Sequence, residues 1–110
     1  MLGMEFLDKL KEANKIRQKE WDTGGNVTLA YRGNELAGEV GEACNLIKKL
    51  ERERFGMVGS RTSVEHLAEE LADVLICLNL IAIEVDVDLV EATKAKFNKT
   101  SEKYGLKTRI

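Results

Sequence analysis

Two pairs of acidic residues, each with i, i+3 spacing, are the residues of this chain best suited to chemistry. The first pair is Glu39 with Glu42, and the second is Glu70 with Asp73. On a helix, this spacing places both carboxylates of a pair on one face. If the two helices pack antiparallel, four carboxylates converge on one point, where their mutual repulsion is severe unless a cation is bound. Hard oxygen ligands of this kind suit Mg²⁺ or Mn²⁺.

An ordinary solvated helix face is the alternative interpretation, because acidic pairs are common in a highly charged helical sequence. Two further pairs, Glu5 with Asp8 and Asp88 with Glu91, fall where the start of a helix explains them. The first two pairs lie in the middle of their helices, where that explanation does not apply. The spacing alone therefore leaves a metal site and an acidic surface equally open.

Gly33, Gly38 and Gly41 lie on the same predicted helix as the first acidic pair. Each glycine inside a helix costs about 1 kcal/mol relative to alanine, so three in one helix need a reason. Close approach of a ligand or of another helix is one reason. Conformational tolerance in a mobile helix is the other.

Four helices must position these residues, because apolar side chains recur at spacings of three and four and no convincing alternating strand is found. We expect the first helix over residues 4–20 and the second over 27–54, separated by a glycine turn at 22–26. The predicted buried stripe of the first helix is Phe6, Leu7, Leu10, Ala13 and Ile16. The predicted apolar face of the second is Leu29, Leu36, Val40, Ala43, Ile47 and Leu50.

The third helix opens with the capping-box pattern Thr62-Ser63-Val64-Glu65, and the fourth runs from Asp88 to Gly105. The third helix is apolar on nearly every side over residues 74–85, which indicates neighbours all round, including a second subunit. We therefore predict one all-α domain over residues 1–110. We expect a protomer that resembles a four-helix bundle and that assembles as a dimer or a dimer of dimers.

Composition excludes several classes of protein. The 110 residues carry a net charge of −2, which creates no general attraction for nucleic acid or anionic lipid, so neither is an expected partner. The apolar stretch at 74–85 is too short to span a membrane. Residues 1–6 lack a basic start followed by an apolar run, so we expect no secretory signal and a cytoplasmic protein. Cys44 and Cys77 stand alone in apolar helical contexts, which favours free buried thiols.

The acidic motifs and their surroundings resemble the MazG-like all-α nucleoside triphosphate pyrophosphohydrolases, in particular their compact bacterial and phage members. Glu39-x-x-Glu42 is followed after 27 residues by Glu70-x-x-Asp73. The segments 38–43, 69–75 and 96–106 are also similar, and the likeness covers about residues 21–110. It implies that the four carboxylates hold Mg²⁺, or alternatively Mn²⁺. It also implies that water attacks the α-phosphorus of a nucleoside triphosphate, releasing a nucleoside monophosphate and pyrophosphate.

The resemblance also implies roles for residues around the carboxylates. Many relatives have a further carboxylate where this chain has Gly38, which leaves Glu35 or Glu69 as the general base. The candidate phosphate-binding residues are Lys96, Lys99, Lys48 and Lys103, and a solvated lysine face is the equal alternative. The candidate nucleoside-binding residues are Trp21 and Asn79.

Each nucleoside candidate has a structural alternative. Trp21 can be a lid on the core, and Asn79 can make a hydrogen bond within the bundle. His66 is expected to be exposed. No Glu-x-x-His pair occurs in the sequence, which disfavours a di-iron carboxylate oxidase.

Three functions fit these observations. The first is hydrolysis of deoxynucleoside or non-standard nucleoside triphosphates, a housekeeping role in the nucleotide pool. The second is phosphoribosyl-ATP pyrophosphohydrolase, which shares the fold and the carboxylates. The third is a catalytically silent helical dimerisation module, which the intact carboxylates disfavour.

Overall fold

The computed structural model describes residues 2–110, with side chains from residue 5 onward. Four helices make up this part of the chain, and no strand occurs in it. They are α1 (Leu2–Trp21), α2 (Leu29–Arg54), α3 (Val64–Glu84) and α4 (Leu89–Lys103). The prediction of an all-α fold with four helices is confirmed. Met1, part of the segment from which we expected no secretory signal, lies outside the described residues.

Side chains that accept a hydrogen bond from the first turn begin three of the helices. The caps are Thr28, Ser63 and Asp88, the last as predicted. The predicted cap at Thr62 is wrong by one residue, because Ser63 Oγ accepts from the backbone N–H of His66 at 3.1 Å. Two adjacent residues carry hydroxyls here, and that of Thr62 lies instead 3.3 Å from Nδ1 of His66.

The turn between α1 and α2 is fixed by one carboxylate. Asp22 accepts hydrogen bonds from the backbone N–H groups of Asn26 at 2.9 Å and of Val27 at 2.8 Å. These two bonds hold the pKa of Asp22 below its usual value. Gly25 completes the turn at φ 64°, a left-handed conformation in which a side chain is strained. The predicted glycine turn is confirmed, and it sets the end of α1 beside the start of α2.

The core lies along α3, which packs against both α2 and α1. Its buried apolar residues are Ala43 and Leu46 of α2 with Cys77, Leu80 and Ala82 of α3. Within the described residues, α4 forms no helix pair of comparable extent. The start of α4 instead meets α1 and the end of α3 around a small cavity. The protomer is therefore built on the α2–α3 hairpin.

The predicted buried stripe of α1 is wrong for three of its five residues. Phe6 and Ile16 are 54% and 63% exposed, and Ala13 is exposed as well. The face that meets α3 carries polar residues, with Asn14 fully buried and Gln18 half-buried. Apolar periodicity identifies the most apolar face of a helix, and here that face is not the one turned toward the neighbour.

The predicted face of α2 is only partly buried. Ala43 is buried, and Leu36 and Leu50 are half-buried. Leu29, Val40 and Ile47 are exposed in the protomer, whereas Leu46, absent from the prediction, is buried. The apolar face predicted for α2 combined residues from two adjacent faces of this helix, and only one of these faces meets α3.

The protomer leaves much apolar surface uncovered. Its accessible surface is 8210 Å², against about 6,100 Å² expected for a compact monomer of 12.3 kDa. Its radius of gyration is 17.2 Å, where about 13 Å is usual for this length. Leu71, Leu75 and Leu78 of α3 and Phe97 of α4 are among the exposed side chains. None of the described helices is long and apolar enough to cross a membrane.

Candidate metal centre

Three of the four predicted carboxylates meet between α2 and α3. Oxygen atoms of Glu39, Glu70 and Asp73 all lie within 4.8 Å of one another. Glu42 lies beside this group, because its carboxyl is within hydrogen-bonding reach of Glu70. The antiparallel hairpin of α2 and α3 brings the two acidic pairs together as the i, i+3 spacing predicted. We call these four residues the carboxylate cluster.

The electrostatics of the carboxylate cluster are those of a site that needs a cation. The pKa of Glu70 is raised, chiefly by the hydrogen bond with Glu42 and next by burial. Burial raises the pKa of Glu39, and the charges of Asp73 and Glu42 add to this shift. Crowded carboxylates favour protonation when no positive charge is available to compensate them.

Two oxygen atoms of the cluster have no hydrogen-bond partner. Oε2 of Glu39 and Oε2 of Glu70 are both shielded from solvent and accept no hydrogen bond from the described residues. Buried polar atoms are nearly always paired, so two unpaired acceptors in one cluster need an explanation. An all-oxygen donor set of this kind fits Mg²⁺ or Mn²⁺, and coordination would satisfy both atoms.

His66 touches the cluster, a contact that the sequence analysis missed. Its Nε2 lies 3.6 Å from Oε1 of Glu70, one helical turn away, and its side chain is 52% exposed. The predicted exposure is confirmed. The i, i+4 spacing of His66 and Glu70 was the available signal, but many exposed residues share such a spacing without forming a contact.

An open cavity of about 300 Å³ adjoins the cluster. Glu39 and Asp73 form part of its wall, and Glu35 lies beside them. Of the two candidate bases, Glu35 therefore lines this cavity, whereas Glu69 is exposed and does not. Across from the carboxylates, Trp21 of α1 lines the same cavity.

Arg32 holds Glu35 in place, a second contact that the sequence analysis missed. Its Nη1 donates to Oε1 of Glu35 at 2.9 Å, and only 6% of its side chain is exposed. The guanidinium lies 5.9 Å from the ring centroids of both Trp21 and Tyr31. Arg32 thus links the aromatic end of the cavity to its carboxylate end. The i, i+3 spacing of Arg32 and Glu35 was visible in the sequence, but the burial of the pair depends on α1 and α3.

Comparison with known proteins decides the family. A family model described as the MazG nucleotide pyrophosphohydrolase domain matches residues 29–105. The chain belongs to this family. The match spans α2, α3 and α4, so it contains the whole carboxylate cluster of this MazG protein, whereas α1 precedes it.

A curated relative of this MazG chain is the Gene 37 protein of Mycobacterium phage L5. The two are 34% identical over 71 residues, which are 64% of this chain and 61% of the phage protein. The chain therefore matches less than two thirds of that relative. No solved structure shows a significant match.

The two candidate nucleoside-binding residues, Trp21 and Asn79, lie in different environments in the MazG protomer. Trp21 is 56% exposed at the cavity, with its ring centroid 6.1 Å from that of Tyr31. Asn79 is 5% exposed, and its Oδ1 accepts a hydrogen bond from Nδ2 of Asn14 at 2.9 Å. Asn79 does not line the cavity beside the cluster. Its contacts favour the structural alternative, whereas Trp21 is placed where a base could stack.

The lysine candidates do not line this cavity in the described protomer. Lys96 and Lys99 are exposed on α4, and Nζ of Lys103 lies 5.3 Å from the ring centroid of Tyr104. Lys48 lines a separate apolar groove near the end of α2. The cations that do line the cavity are arginines, Arg17 among them.

Both cysteines are free, as predicted, but only one is buried. Cys44 is exposed. Cys77 is buried beside the cluster, and burial, with the charges of Glu35 and Glu39, raises the pKa of its thiol to about 11. Cys77 is therefore protonated at neutral pH and fills space beside the carboxylates.

The glycines of α2 are not packed against another part of the protomer. A Cβ added at Gly33, Gly38 or Gly41 would meet no atom within 4 Å among the described residues. Close approach of another helix, one of the reasons considered for these glycines, is therefore not found among the described residues. A ligand, a second copy of the chain or conformational tolerance are the explanations that the protomer leaves open.

Proposed function

We propose that this chain is a divalent-metal-dependent nucleoside triphosphate pyrophosphohydrolase. The observation that carries the proposal is the carboxylate cluster, with its two buried, unpaired oxygen atoms on Glu39 and Glu70. Membership of the MazG family supports the same reaction class. The proposed substrates are deoxynucleoside or non-standard nucleoside triphosphates, in a cytoplasmic housekeeping role.

The carboxylate cluster would hold the cation through Glu39, Glu70, Asp73 and Glu42. When bound, Mg²⁺ or Mn²⁺ would neutralise triphosphate charge, orient the phosphates and acidify the attacking water. The cation would supply positive charge at the carboxylates themselves, whereas Arg17 and Arg32 line the rest of the cavity.

Glu35 is the proposed general base, since it shares the cavity wall with Glu39 and Asp73. Its carboxylate would accept the proton of the attacking water as the oxygen bonds to the α-phosphorus. The bond between the α-phosphorus and the bridging oxygen then breaks, and pyrophosphate leaves. Arg32 would keep Glu35 oriented through the 2.9 Å ion pair. Glu69 stays a weaker candidate because it does not line the cavity.

The nucleoside would occupy the end of the cavity formed by α1. Trp21 is exposed there and offers an aromatic face for stacking. Arg17 and Arg32 line the same cavity and would offset phosphate charge. Lys96, Lys99, Lys48 and Lys103 do not line it, so a phosphate-binding role for them requires a second copy of the chain. Asn79 is a weaker candidate than Trp21 because its amide is bonded to Asn14.

Oligomerisation is part of the proposal. The excess of accessible surface over that of a compact monomer is larger than the roughly 800 Å² per partner of a standard interface. Leu71, Leu75 and Leu78 on α3 supply apolar surface for it. We infer a dimer or a dimer of dimers, and light scattering at micromolar concentration tests this directly. A stable monomer would contradict the inference.

Pyrophosphate release from a panel of nucleotides with Mg²⁺ tests the enzyme assignment. The panel includes deoxynucleoside and non-standard triphosphates, together with phosphoribosyl-ATP. Asp73→Asn and Glu42→Gln should abolish most activity and leave the fold intact. Glu53→Gln is the matched control, because Glu53 is an exposed carboxylate further along α2. Equal rates in wild type and both cluster variants would refute the proposal.

Thermal melts with and without Mg²⁺ test the metal site independently of the substrate. Without Mg²⁺, Asp73→Asn and Glu42→Gln should melt no lower than wild type, because each relieves repulsion. With Mg²⁺, wild type should gain more than either variant, because a bound cation stabilises the native state by mass action. Equal Mg²⁺ gains in wild type, both variants and Glu53→Gln would show that the cluster binds no metal.

A further inference from the structure

A second face of α2, distinct from the one that is buried in the protomer, is exposed along the whole helix. Ala43 and Leu46 are buried in the core beside α3. A series of residues at spacings of three and four lies about 135° round the helix from these two, and all of its members are exposed. We call this series the outer face of α2. Its first half is Ala30, Gly33, Ala37, Val40 and Gly41, and its second half is Cys44, Ile47, Lys48, Glu51 and Phe55.

The composition of the outer face suits a surface that becomes buried. Lys48 and Glu51 are its only charged residues, and they have opposite signs and lie one turn apart. Two copies of this face therefore do not repel each other. The second half, with Met57, lines an apolar groove of about 560 Å³. Ile47 and Phe55 on this groove are 50% and 64% exposed, so the protomer leaves a contiguous apolar patch uncovered.

The glycines of the outer face, Gly33 and Gly41, have no packing reason within the protomer. Glycine is less favourable than alanine inside a helix, and a Cβ at either position would meet no atom within 4 Å among the described residues. Ala30 and Ala37 continue the same small surface at helical spacing. Small side chains let a second helix approach closely, because the distance between helix axes depends on the side chains at the contact. A helix from outside the protomer would give these small residues a packing role.

The difference in size between the two halves indicates how two copies would fit. In a symmetric pair, residue i of one copy contacts residue j of the other, and j contacts i. Parallel helices would place the large halves against each other. Antiparallel helices with a two-fold axis between residues 42 and 43 place Phe55 of one copy opposite Ala30 of the other, and Cys44 opposite Gly41. Large side chains then fill the space that small ones leave, as they do in a protein interior.

The protomer has enough surface for an interface of this kind. Its accessible surface of 8210 Å² is about 2,000 Å² more than that of a compact monomer of its mass. A standard interface buries about 800 Å² on each partner. The excess is therefore large enough for the outer face of α2 as well as for the exposed leucines of α3. The match of the two halves to each other favours a second copy of this chain as the occupant.

We propose that the outer face of α2 is an interface between two copies of this chain, in which the two α2 helices pack antiparallel. The second half of each helix lies on the first half of the other. The inference rests on the oligomer included in the proposed function and on no part of the proposed reaction. It adds an interface on α2 to the apolar surface that Leu71, Leu75 and Leu78 supply on α3.

Two leucine substitutions at glycines of the same helix test the interface. Gly33→Leu adds a large side chain to the outer face, whereas Gly38→Leu adds it about 140° round the helix from Gly33. Neither added Cβ meets an atom of the protomer, and both variants remove a glycine from the helix. Light scattering at micromolar concentration should give half the wild-type mass for Gly33→Leu and the full wild-type mass for Gly38→Leu. Circular dichroism checks that both variants stay helical.

Cys44 provides a test that needs no large substitution. In the proposed pair, the two Cys44 residues lie about 4.5 Å apart along the helix axis, on the sides that face each other. A short bismaleimide should therefore link wild-type chains in pairs. In Cys44→Ser/Asn45→Cys the thiol is moved about 100° round the helix, so the yield of linked pairs should fall several-fold. Cys77 is buried and does not compete for the reagent.

The outcomes separate this inference from the rest of the proposed function. A wild-type mass in folded Gly33→Leu would overturn the inference, as would a halved mass in Gly38→Leu. If Gly33→Leu fails to fold, the cross-linking decides, because an oligomeric wild type that yields no linked pairs would overturn the inference. In these cases the oligomer itself stands, on another face. A monomeric wild type would overturn both the inference and the oligomer, and pyrophosphate release would then test the proposed reaction by itself.

Discussion

The hydrogen bond between Asn14 and Asn79 should be one of the strongest single supports of the α1–α3 interface. The two side chains are 1% and 5% exposed, and Nδ2 of Asn14 lies 2.9 Å from Oδ1 of Asn79. Asn14→Leu keeps a similar volume but leaves the Asn79 carbonyl buried without a donor. We expect a loss of about 1–3 kcal/mol in the free energy of unfolding, and a similar loss in Asn79→Leu.

The double variant Asn14→Leu/Asn79→Leu should cost much less than the sum of the two single variants. Replacing both partners with apolar groups removes the unpaired atoms, so its net effect should lie close to zero. With an unfolding entropy of about 2.1 cal/mol/K for each of the 110 residues, 1 kcal/mol corresponds to about 4 °C in Tm. Each single variant should therefore melt about 4–13 °C below wild type.

Thermal and urea melts at one fixed chain concentration measure these effects, because an oligomer has a concentration-dependent Tm. Additive losses in the double variant would refute the reasoning, because they would show that the two amides act independently. A raised KM in Asn79→Leu with unchanged stability would also refute it. That result would indicate that Asn79 contacts the nucleoside.

Two further predictions concern the carboxylates and their neighbours. Arg32→Met should lower kcat more than it raises KM, because Glu35 loses its orientation. The same variant should lower the free energy of unfolding by about 1–3 kcal/mol. This is less than for a fully buried ion pair, because the Glu35 side chain is 27% exposed. Equal kcat and KM values in Arg32→Met and wild type would contradict the proposed orienting role. In metal-free protein, the raised pKa values of Glu39 and Glu70 mean that the native state binds more protons than the unfolded chain. The free energy of unfolding should therefore rise as the pH falls from neutral toward 4.5, the ordinary pKa of glutamate. In saturating Mg²⁺ this trend should reverse, because protons displace the cation. Urea melts across this pH range test the sign, and identical slopes with and without Mg²⁺ would contradict it.

The carboxylate cluster was predictable from the sequence because its geometry is mostly local. The i, i+3 spacing sets each pair on one helix face, and a single hairpin connection brings the faces of α2 and α3 together. The helices themselves follow from apolar periodicity and from turn residues such as Asp22 and Gly25. Local rules of this kind transfer directly from sequence to structure.

Contacts between helices could not be predicted in the same way. The buried face of α1 is defined by Asn14, whose burial depends on a partner 65 positions away. Phe6 and Ile16, which periodicity favoured, lie on the face that the protomer leaves open.

The position of α1 outside the family match has a consequence for how the protein could change. The match begins at residue 29, so the carboxylate cluster lies inside it, and Trp21 lies before it. On the proposed assignment, the carboxylate cluster and the aromatic residue proposed to stack on the base are encoded in separate, consecutive stretches of the chain. Substitutions at Trp21 can then alter which nucleotides bind while the carboxylate cluster stays intact. Variation at the cavity end of α1, with Asn14 kept for its bond to Asn79, is therefore a route to new substrate ranges, both for natural divergence and for protein engineering.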